Sequence, residues 1–287
     1  MFTTVIGSYP LRYDQLGEDA ILQSVQDQLE AGIDLVSDGQ TRFDMIGYFA
    51  STIEGYTYDT QSYIEEKIDK GKPDLLVSDL ELAKGLAPHV KGIVTGPVTL
   101  VLSSKIKSVY RGYRDEDVYL DTAKALLDIA QALESHGAEW IQIDEPYLSV
   151  GAPMEIAQKA IESIALNIKV PVALHVCGNV VPIIDKLVDL RGVTMLSHGF
   201  MGEDNMSILH HDKFISSTKT LGLGCIDTKK NRVEEVNEIE NIIKLALQNV
   251  SVSRLAIHPD CGLRLLDRKT ALAKLKNMVI ASRMAFQ

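Results

Sequence analysis

The sequence predicts an α/β protein that folds as a single (β/α)8 TIM barrel. Eight short runs of β-branched and aliphatic residues alternate with segments of helical periodicity, and such alternation is typical of parallel strands covered by helices. Most runs end in small or polar residues, at the position where barrel enzymes carry their catalytic groups. The predicted strands cover residues 3–6, 33–36, 92–95, 140–143, 172–174, 193–196, 221–225 and 254–257.

Helical segments separate most of these runs. In the first, Ile21, Val25 and Leu29 recur at a spacing of four, and Gly32 is placed to end the helix. Residues 41–90 are too many for a simple loop, so we expect an insertion over the barrel mouth at about this position. No linker or second core is evident, which favours one domain over residues 1–287. The predicted helices cover residues 17–31, 75–86, 118–136, 154–167, 180–190, 234–248 and 269–285.

The composition argues against several classes of protein. The 287 residues are 46% hydrophobic and 24% charged, as in ordinary globular proteins. A formal charge of −10 without a basic run argues against a nucleic-acid partner, and no apolar stretch is long enough to cross a membrane. The first residues lack a secretory signal pattern, and three cysteines do not make a disulfide framework. We therefore expect reduced thiols and a cytoplasmic location.

Three candidate metal ligands follow predicted strands. His175 and Cys177 lie two residues apart, so an extended chain directs both to one face, and Cys261 follows the eighth run in HPDCG. One imidazole and two thiolates suit zinc, and a fourth position left for substrate is typical of a catalytic site. Taken alone, each cysteine is more often a buried core residue, which is our interpretation of Cys225. The shared position of the other three at one end of the barrel favours a metal site.

Further candidates surround this cluster. Asp144 and Glu145 end the fourth run in IQIDEP, and Asp144 is placed to hold a substrate amine as a catalytic and binding residue. Its alternative role is to cap the next helix. Ser8 follows the first run, and Gly7 beside it would let a ligand approach the backbone closely. Alone, IGSYP and the TGP of residues 95–97 are equally consistent with simple turns.

The motifs together resemble those of the catalytic carboxyl-terminal barrel of cobalamin-independent methionine synthases. The resemblance covers nearly the whole chain in the same order, and its most specific parts are HxC, the late DCGL and the central IQIDEP. The second barrel of the larger enzymes has no counterpart, so the chain resembles the short "core" members of archaea and some anaerobic bacteria. The motifs are TTVIGSYP, SDGQTRFDMIGYF, VKGIVTGPVTL, IQIDEPYLSVGAP, HVCGN, LGLGCID and HPDCGLR.

This resemblance implies a zinc-dependent enzyme that methylates the thiol of homocysteine to form methionine. It implies zinc ligands at His175, Cys177 and Cys261, with the homocysteine carboxylate at Ser8 and its amine at Asp144. The chemistry agrees, because zinc lowers the pKa of a thiol and presents it as a nucleophilic thiolate. Ser8 and Asp144 would orient the sulfur toward the methyl donor.

Two positions depart from the larger enzymes at the metal and the amine site. Gly199 stands where the family has a glutamate ligand, which leaves three protein ligands unless His198, Glu203 or Asp204 substitutes. Gln40 replaces a glutamate of the amine-binding region. A glutamine still accepts a hydrogen bond from an ammonium, but it brings no charge, so Gln40 is predicted to bind substrate without the electrostatic contribution of a carboxylate.

A third departure bears on the methyl donor. Lys229 replaces a histidine implicated in protonating the folate leaving group, and an ordinary lysine is a weak acid at neutral pH. The missing ligand at Gly199 should also make a bound thiolate less nucleophilic. Methylcobalamin needs no proton for its leaving group. The sequence therefore predicts a corrinoid donor, either methylcobalamin or a methyl-corrinoid partner protein.

Three alternatives stay open on the sequence alone. One is a different thiol acceptor, such as coenzyme M, which has no amine for Asp144 to recognise. Another is methyl-tetrahydrofolate as the donor. The third is a catalytically inactive accessory barrel, in which Gly199 records the loss of catalysis.

Overall fold

A computed structural model of the protein describes residues 1–10 and 17–286. Its strands are β1 (Phe2–Thr3), β2 (Tyr56–Tyr58), β3 (Ser62–Ile64), β4 (Gly92–Thr95), β5 (Ser104–Ile106), β6 (Ile141–Asp144), β7 (Val172–His175), β8 (Val193–Gly199), β9 (Thr220–Gly224) and β10 (Leu255–His258). Its α-helices are α1 (Glu18–Ala31), α2 (Met45–Ala50), α3 (Asp74–Lys84), α4 (Pro97–Leu102), α5 (Glu116–Ser135), α6 (Met154–Ala165), α7 (Ile184–Val188), α8 (Asp212–Ser216), α9 (Val236–Leu247) and α10 (Arg268–Ala285).

The main sheet is a closed parallel barrel. Seven strands pair in the order β1-β10-β9-β8-β7-β6-β4. Two parallel bridges, from Thr4 to Leu35 and from Val36 to Val90, place an eighth segment between β1 and β4. Neighbouring helices pack against one another around this sheet, as α1 does with α10 and α5 with α6. The predicted (β/α)8 fold is therefore confirmed.

The second barrel strand is shorter than the predicted residues 33–36. Only Leu35 and Val36 form bridges to neighbouring strands. The side-chain amide of Gln28 accepts from the N–H of Ser37 at 2.9 Å and donates to its carbonyl at 3.0 Å. Because these backbone groups are already paired, the ladder does not extend past Val36.

Several other strands run further than predicted, into the residues that carry the chemistry. β6 ends at Asp144 and β7 at His175, one residue later than expected in each case. The parallel registers align Thr95 with Asp144, Asp144 with His175, and His175 with Ser197. Backbone hydrogen bonds, rather than flexible loops, therefore position these side chains.

The segment predicted as an insertion, residues 41–90, has two parts. In the first, β2 and β3 pair antiparallel, and β3 joins β5 in a small separate sheet. The hydroxyl of Thr95 donates to the carbonyl of Met45 at 2.8 Å, which places α2 at the carboxyl end of β4. In the second part, α3 packs against α1 and α5 as a helix of the barrel wall. Of the two parts, only the first contributes residues, Asp44 and Met45, to the cavity at the carboxyl end of the barrel.

The TGP motif begins a helix, α4, and is not a simple turn. The buried carboxylate of Glu145 accepts hydrogen bonds from the N–H groups of Val98 and Thr99 at 2.9 and 2.8 Å. A Cβ at Gly96 would lie 2.2 Å from Glu145 Cγ, so the glycine leaves room for this contact. Burial raises the pKa of Glu145 to about 7, against the hydrogen bonds from Thr99. Glu145 therefore caps α4, which follows the neighbouring strand β4, whereas α6, the next α-helix after Asp144, has no side-chain cap.

Aliphatic side chains fill the space between sheet and helices. Ile21 and Val25 of α1 are fully buried, but Leu29 is 36% exposed. Residues spaced by four drift around a helix by about 40° per step, so Leu29 lies at the edge of the apolar stripe. Within residues 1–10 and 17–286, no helix combines the length and the apolar character that crossing a bilayer requires.

Candidate functional site

Three soft ligands meet at the carboxyl end of the barrel. His175 ends β7, Cys177 follows it, and Cys261 lies in the loop after β10. His175 Nε2 lies 3.0 Å from Cys177 Sγ, which lies 2.9 Å from Cys261 Sγ. The ligand atoms of all three side chains lie within 4.8 Å of one another. The structure thus brings together the three residues predicted to bind metal.

The chemistry and spacing of these atoms suit zinc. One imidazole nitrogen and two sulfurs form a common catalytic ligand set for this ion. With Zn–S bonds of about 2.3 Å, the edge between two sulfurs of a tetrahedral site is about 3.8 Å. All ligand atoms lie within 4.8 Å of one another, so their separations are of the order that zinc coordination needs.

A hydrogen bond between the two thiols lowers the pKa of one and raises the pKa of the other. The bond from Cys177 lowers the pKa of Cys261 well below its usual range, and His175 lowers it further. The same hydrogen bond raises the pKa of Cys177, and burial adds to this rise. This hydrogen bond therefore favours proton loss from Cys261 over proton loss from Cys177. A thiolate is the form that binds metal, so the cluster is partly prepared for an ion.

No substitute for the family's glutamate ligand joins this cluster in the described residues. A Cβ at Gly199 would lie 2.9 Å from Asp260 Cβ and 3.1 Å from Glu203 Cγ, so neighbouring side chains occupy the space. Glu203 forms an ion pair with Lys229. His198 is buried with its Nδ1 3.2 Å from the carbonyl oxygen of Val176, and Asp204 is exposed. The metal-ligand group contains none of the three proposed substitutes.

A cavity of about 210 Å³ opens beside the three ligands. It combines the sulfur and imidazole atoms with carboxylate, amide, hydroxyl and guanidinium groups, so it has polar partners for both ends of an amino acid. Its lining residues are Ile6, Ser8, Gln40, Asp44, Met45, Asp144, Pro146, His175, Cys177, Cys261, Gly262 and Arg264.

Asp144 is held in place from inside the barrel. Gln142 Nε2 donates to Asp144 Oδ1 at 2.6 Å, and Gln142 Oε1 accepts from Lys91 Nζ at 2.6 Å. Burial raises the pKa of Asp144 to about 6, while His175, Gln142 and Lys91 act against this rise. The prediction from sequence did not include Gln142 and Lys91. Alternation along β6 directs Gln142 and Asp144 to the same face. That pattern could have identified Gln142 as a neighbour of Asp144.

Ser8 lines the cavity next to the metal ligands. Its carbonyl accepts from the N–H of Leu263 at 2.7 Å, which ties it to the loop that carries Cys261. A Cβ at Gly262 would lie 2.1 Å from Ser8 Oγ, so this glycine makes room for the hydroxyl. Gly7, predicted to admit a ligand, does not line the cavity. The space beside it is filled by Gln40, whose Oε1 would be 2.6 Å from an added Cβ.

Gln40 and Arg264 also line the cavity. Gln40 has a φ of 44°, a left-handed conformation that costs a residue other than glycine about 1 kcal/mol or more. Its carbonyl accepts from Arg264, which also donates to the carbonyl of Phe43 at 2.6 Å. Gln40 Nε2 and Arg264 Nε are buried without a hydrogen-bond partner among the described residues. The sequence shows Arg264 in the DCGLR motif, but it does not indicate that this side chain contacts the carbonyls of Gln40 and Phe43.

Comparisons with known proteins agree with this geometry. Residues 11–284 match the family model described as the catalytic domain of cobalamin-independent synthase. A methionine synthase of Methanothermobacter thermautotrophicus is 38% identical over 98% of this chain and 99% of its own length. A methionine synthase of Methanocaldococcus jannaschii is 38% identical over 99% of this chain and 99% of its own length.

The fold also matches a solved structure. A B12-independent methionine synthase from a Shewanella species, in complex with selenomethionine, superposes with a TM-score of 0.87 and 21% identity. The match covers 99% of this chain and 97% of that one. At this identity the likeness is evidence for the fold alone, and it agrees with the barrel described above.

The adjacent thiols predict a specific redox behaviour of metal-free protein. Because Cys177 Sγ and Cys261 Sγ lie 2.9 Å apart and a disulfide bond is about 2.0 Å long, oxidised glutathione should join them through thiolate attack by Cys261. Intact-mass analysis should show the loss of two hydrogen atoms, and peptide mapping should place the bridge. Cys225→Ser should behave as wild type, whereas Cys177→Ser should form no internal bridge. Bound zinc should protect both thiols; a bridge that includes Cys225 would contradict this site geometry.

Proposed function

The chain belongs to the catalytic-domain family of cobalamin-independent synthases, and we propose that it methylates the thiol of homocysteine at a zinc ion held by His175, Cys177 and Cys261. It is a methyltransferase, since the methionine synthases it resembles are matched over almost their whole length. The observation that carries the zinc proposal is the convergence of one imidazole and two thiols beside a cavity of amino-acid size. An inactive accessory barrel, the alternative left open by the sequence, would not need this complete ligand set.

When bound, zinc would lower the pKa of a substrate thiol and hold it as a thiolate. His175, Cys177 and Cys261 would occupy three positions around the ion. Gly199 adds no side chain, and Asp260 and Glu203 fill the space beside it. The remaining position is then left for the substrate, as a catalytic zinc site requires.

The charged groups of the cavity support recognition of an amino acid. Asp144 would bind the ammonium group of homocysteine, with one carboxylate oxygen already fixed by Gln142. Ser8 would bind the carboxylate, and the unpaired Gln40 Nε2 and Arg264 Nε are further donors that line the cavity. In this proposal Gln40 would donate to the carboxylate through Nε2, whereas the sequence predicts that its oxygen accepts from the ammonium group. Fixing both ends of the substrate would direct its sulfur toward the metal ligands.

The comparisons do not support the corrinoid donor and the corrinoid partner protein predicted from sequence. The matching family is described as cobalamin-independent, so neither prediction is retained. Both rested on Gly199 and Lys229. A missing side chain shows what a site lacks, and it does not identify the donor that the site accepts. Lys229 forms an ion pair with Glu203, whose hydrogen bond raises the pKa of the lysine.

The proposal predicts that methionine formation depends on Cys261. Purified protein with zinc and homocysteine should form methionine when supplied with methyl-tetrahydrofolate. Cys261→Ser should lose at least about tenfold in zinc affinity, by analogy with other changes at metal sites, and most of its activity. Cys225→Ser, which alters a buried thiol outside the ligand group, is the matched control and should keep both.

Two results would overturn this proposal. One is full activity in protein freed of zinc by a chelator. The other is unchanged zinc content and activity in Cys261→Ser, with circular dichroism confirming that the variant is folded.

Asp144→Asn should separate thiols that carry an amine from thiols that do not. The substitution keeps an oxygen for Gln142 and removes only the charge that faces the ammonium group. A lost charge-assisted hydrogen bond is worth about 1.5–3 kcal/mol, so kcat/KM for homocysteine should fall by roughly tenfold to a hundredfold. With 4-mercaptobutyrate, which is homocysteine without its amine, kcat/KM should change little. An equal loss with both thiols would show that Asp144 supports the site without recognising the amine.

A further inference from the structure

We propose that Ser197 and His258 are positioning residues that hold His175 in the tautomer whose Nε2 is free to bind a metal ion. The proposal rests on the zinc site described above and assigns that site a supporting hydrogen-bond chain. The chain runs from His175 Nδ1 through Ser197 Oγ to His258 Nε2, and from His258 Nδ1 to the carbonyl oxygen of Pro259.

The direction of this chain follows from its last member. The carbonyl oxygen of Pro259 lies 2.7 Å from His258 Nδ1 and can only accept a hydrogen bond. His258 Nδ1 must therefore carry a proton. A neutral imidazole has one protonated nitrogen, so His258 Nε2 is an acceptor. Burial favours this neutral form, because His258 has no exposed surface.

Ser197 passes this polarity on to His175. Its hydroxyl has a single proton, which it donates to His258 Nε2 across 2.9 Å. Ser197 Oγ must then accept a hydrogen bond from His175 Nδ1, which lies 3.0 Å away. His175 Nδ1 therefore carries the proton. In the neutral form of His175, Nε2 is then left with its lone pair, and this nitrogen lies 3.0 Å from Cys177 Sγ. One backbone carbonyl thus determines which nitrogen is available to a metal.

Strand pairing and burial keep the chain intact. His175 and Ser197 are register partners on β7 and β8, and His258 ends β10. The exposed fractions of His175, Ser197 and His258 are 2%, 0% and 0%. Solvent therefore does not compete for these polar atoms. A reversed chain would leave the unprotonated Nδ1 of His258 facing the carbonyl oxygen of Pro259, two buried acceptors with no proton between them.

Gly222 supplies independent evidence that the space is built for this contact. It lies on β9 between β8 and β10, in register with Ser197. A Cβ at this position would lie 2.7 Å from His258 Nε2 and 2.9 Å from Ser197 Cβ. Any side chain would therefore displace the hydrogen bond between Ser197 and His258. Glycine within a strand is ordinarily unfavourable, and here it leaves room for the chain.

The test combines tautomer measurement with metal affinity. Long-range proton–nitrogen correlation spectra of metal-free protein with 15N-labelled histidine should place the proton of His175 on Nδ1. His175→Gln assigns the signal. Ser197→Ala should move the proton toward Nε2, and zinc affinity in chelator competition should fall by about tenfold to a hundredfold, as is typical when a ligand loses its outer partner.

Two control variants separate this role from a general effect on packing. Ser197→Thr keeps the hydroxyl and should restore the Nδ1 proton and most of the zinc affinity. Ser282→Ala removes another buried serine hydroxyl, in α10, and should change neither readout. Unchanged tautomer and affinity in folded Ser197→Ala would overturn the proposal.

The wild-type spectrum decides the matter even where a variant fails to fold. A neutral His175 that carries its proton on Nε2 in place of Nδ1, in folded, metal-free wild type, would overturn the hydrogen-bond chain, whether or not the protein binds zinc. Failure of wild type to bind zinc would instead overturn the proposed metal site. The two failures are therefore distinguishable.

Discussion

The parallel register at the carboxyl ends of β6, β7 and β8 is the constraint on which the site depends. Backbone pairing aligns Asp144 with His175 and His175 with Ser197. A slip of one residue in any of these strands would turn the side chain from the barrel interior toward the helices. The carboxylate, the imidazole and its hydroxyl partner therefore lie on rigid backbone. Cys177 and Cys261 follow strand ends and complete the ligand group from short loops.

Polar groups beneath the cavity are paired before any ligand binds. Lys91, Gln142 and Asp144 form one connected hydrogen-bond chain on one side, and His258, Ser197 and His175 form another. Buried polar groups without partners are costly, so such chains restrict each member to one orientation. In contrast, Gln40 Nε2 and Arg264 Nε, in side chains that line the cavity, have no partner among the described residues, and a substrate carboxylate would supply one.

The sequence was sufficient for features that depend on local pattern. Alternation of strands and helices predicted the barrel, and strand ends predicted the convergence of His175, Cys177 and Cys261. Features that depend on partners distant in the chain could not be predicted from the sequence. The short second strand results from Gln28 pairing with Ser37. The helix that begins in the TGP motif is capped by Glu145, which follows another strand, β6. In each case a side chain meets a backbone group that only the folded chain brings near.

X-ray absorption at the zinc edge of zinc-loaded protein tests the central claim most directly. The account predicts a first shell that contains two sulfur atoms and one imidazole nitrogen from the protein, and one sulfur fewer in Cys261→Ser. A first shell of only nitrogen and oxygen atoms, or one that the Cys261→Ser substitution leaves unchanged, would contradict it.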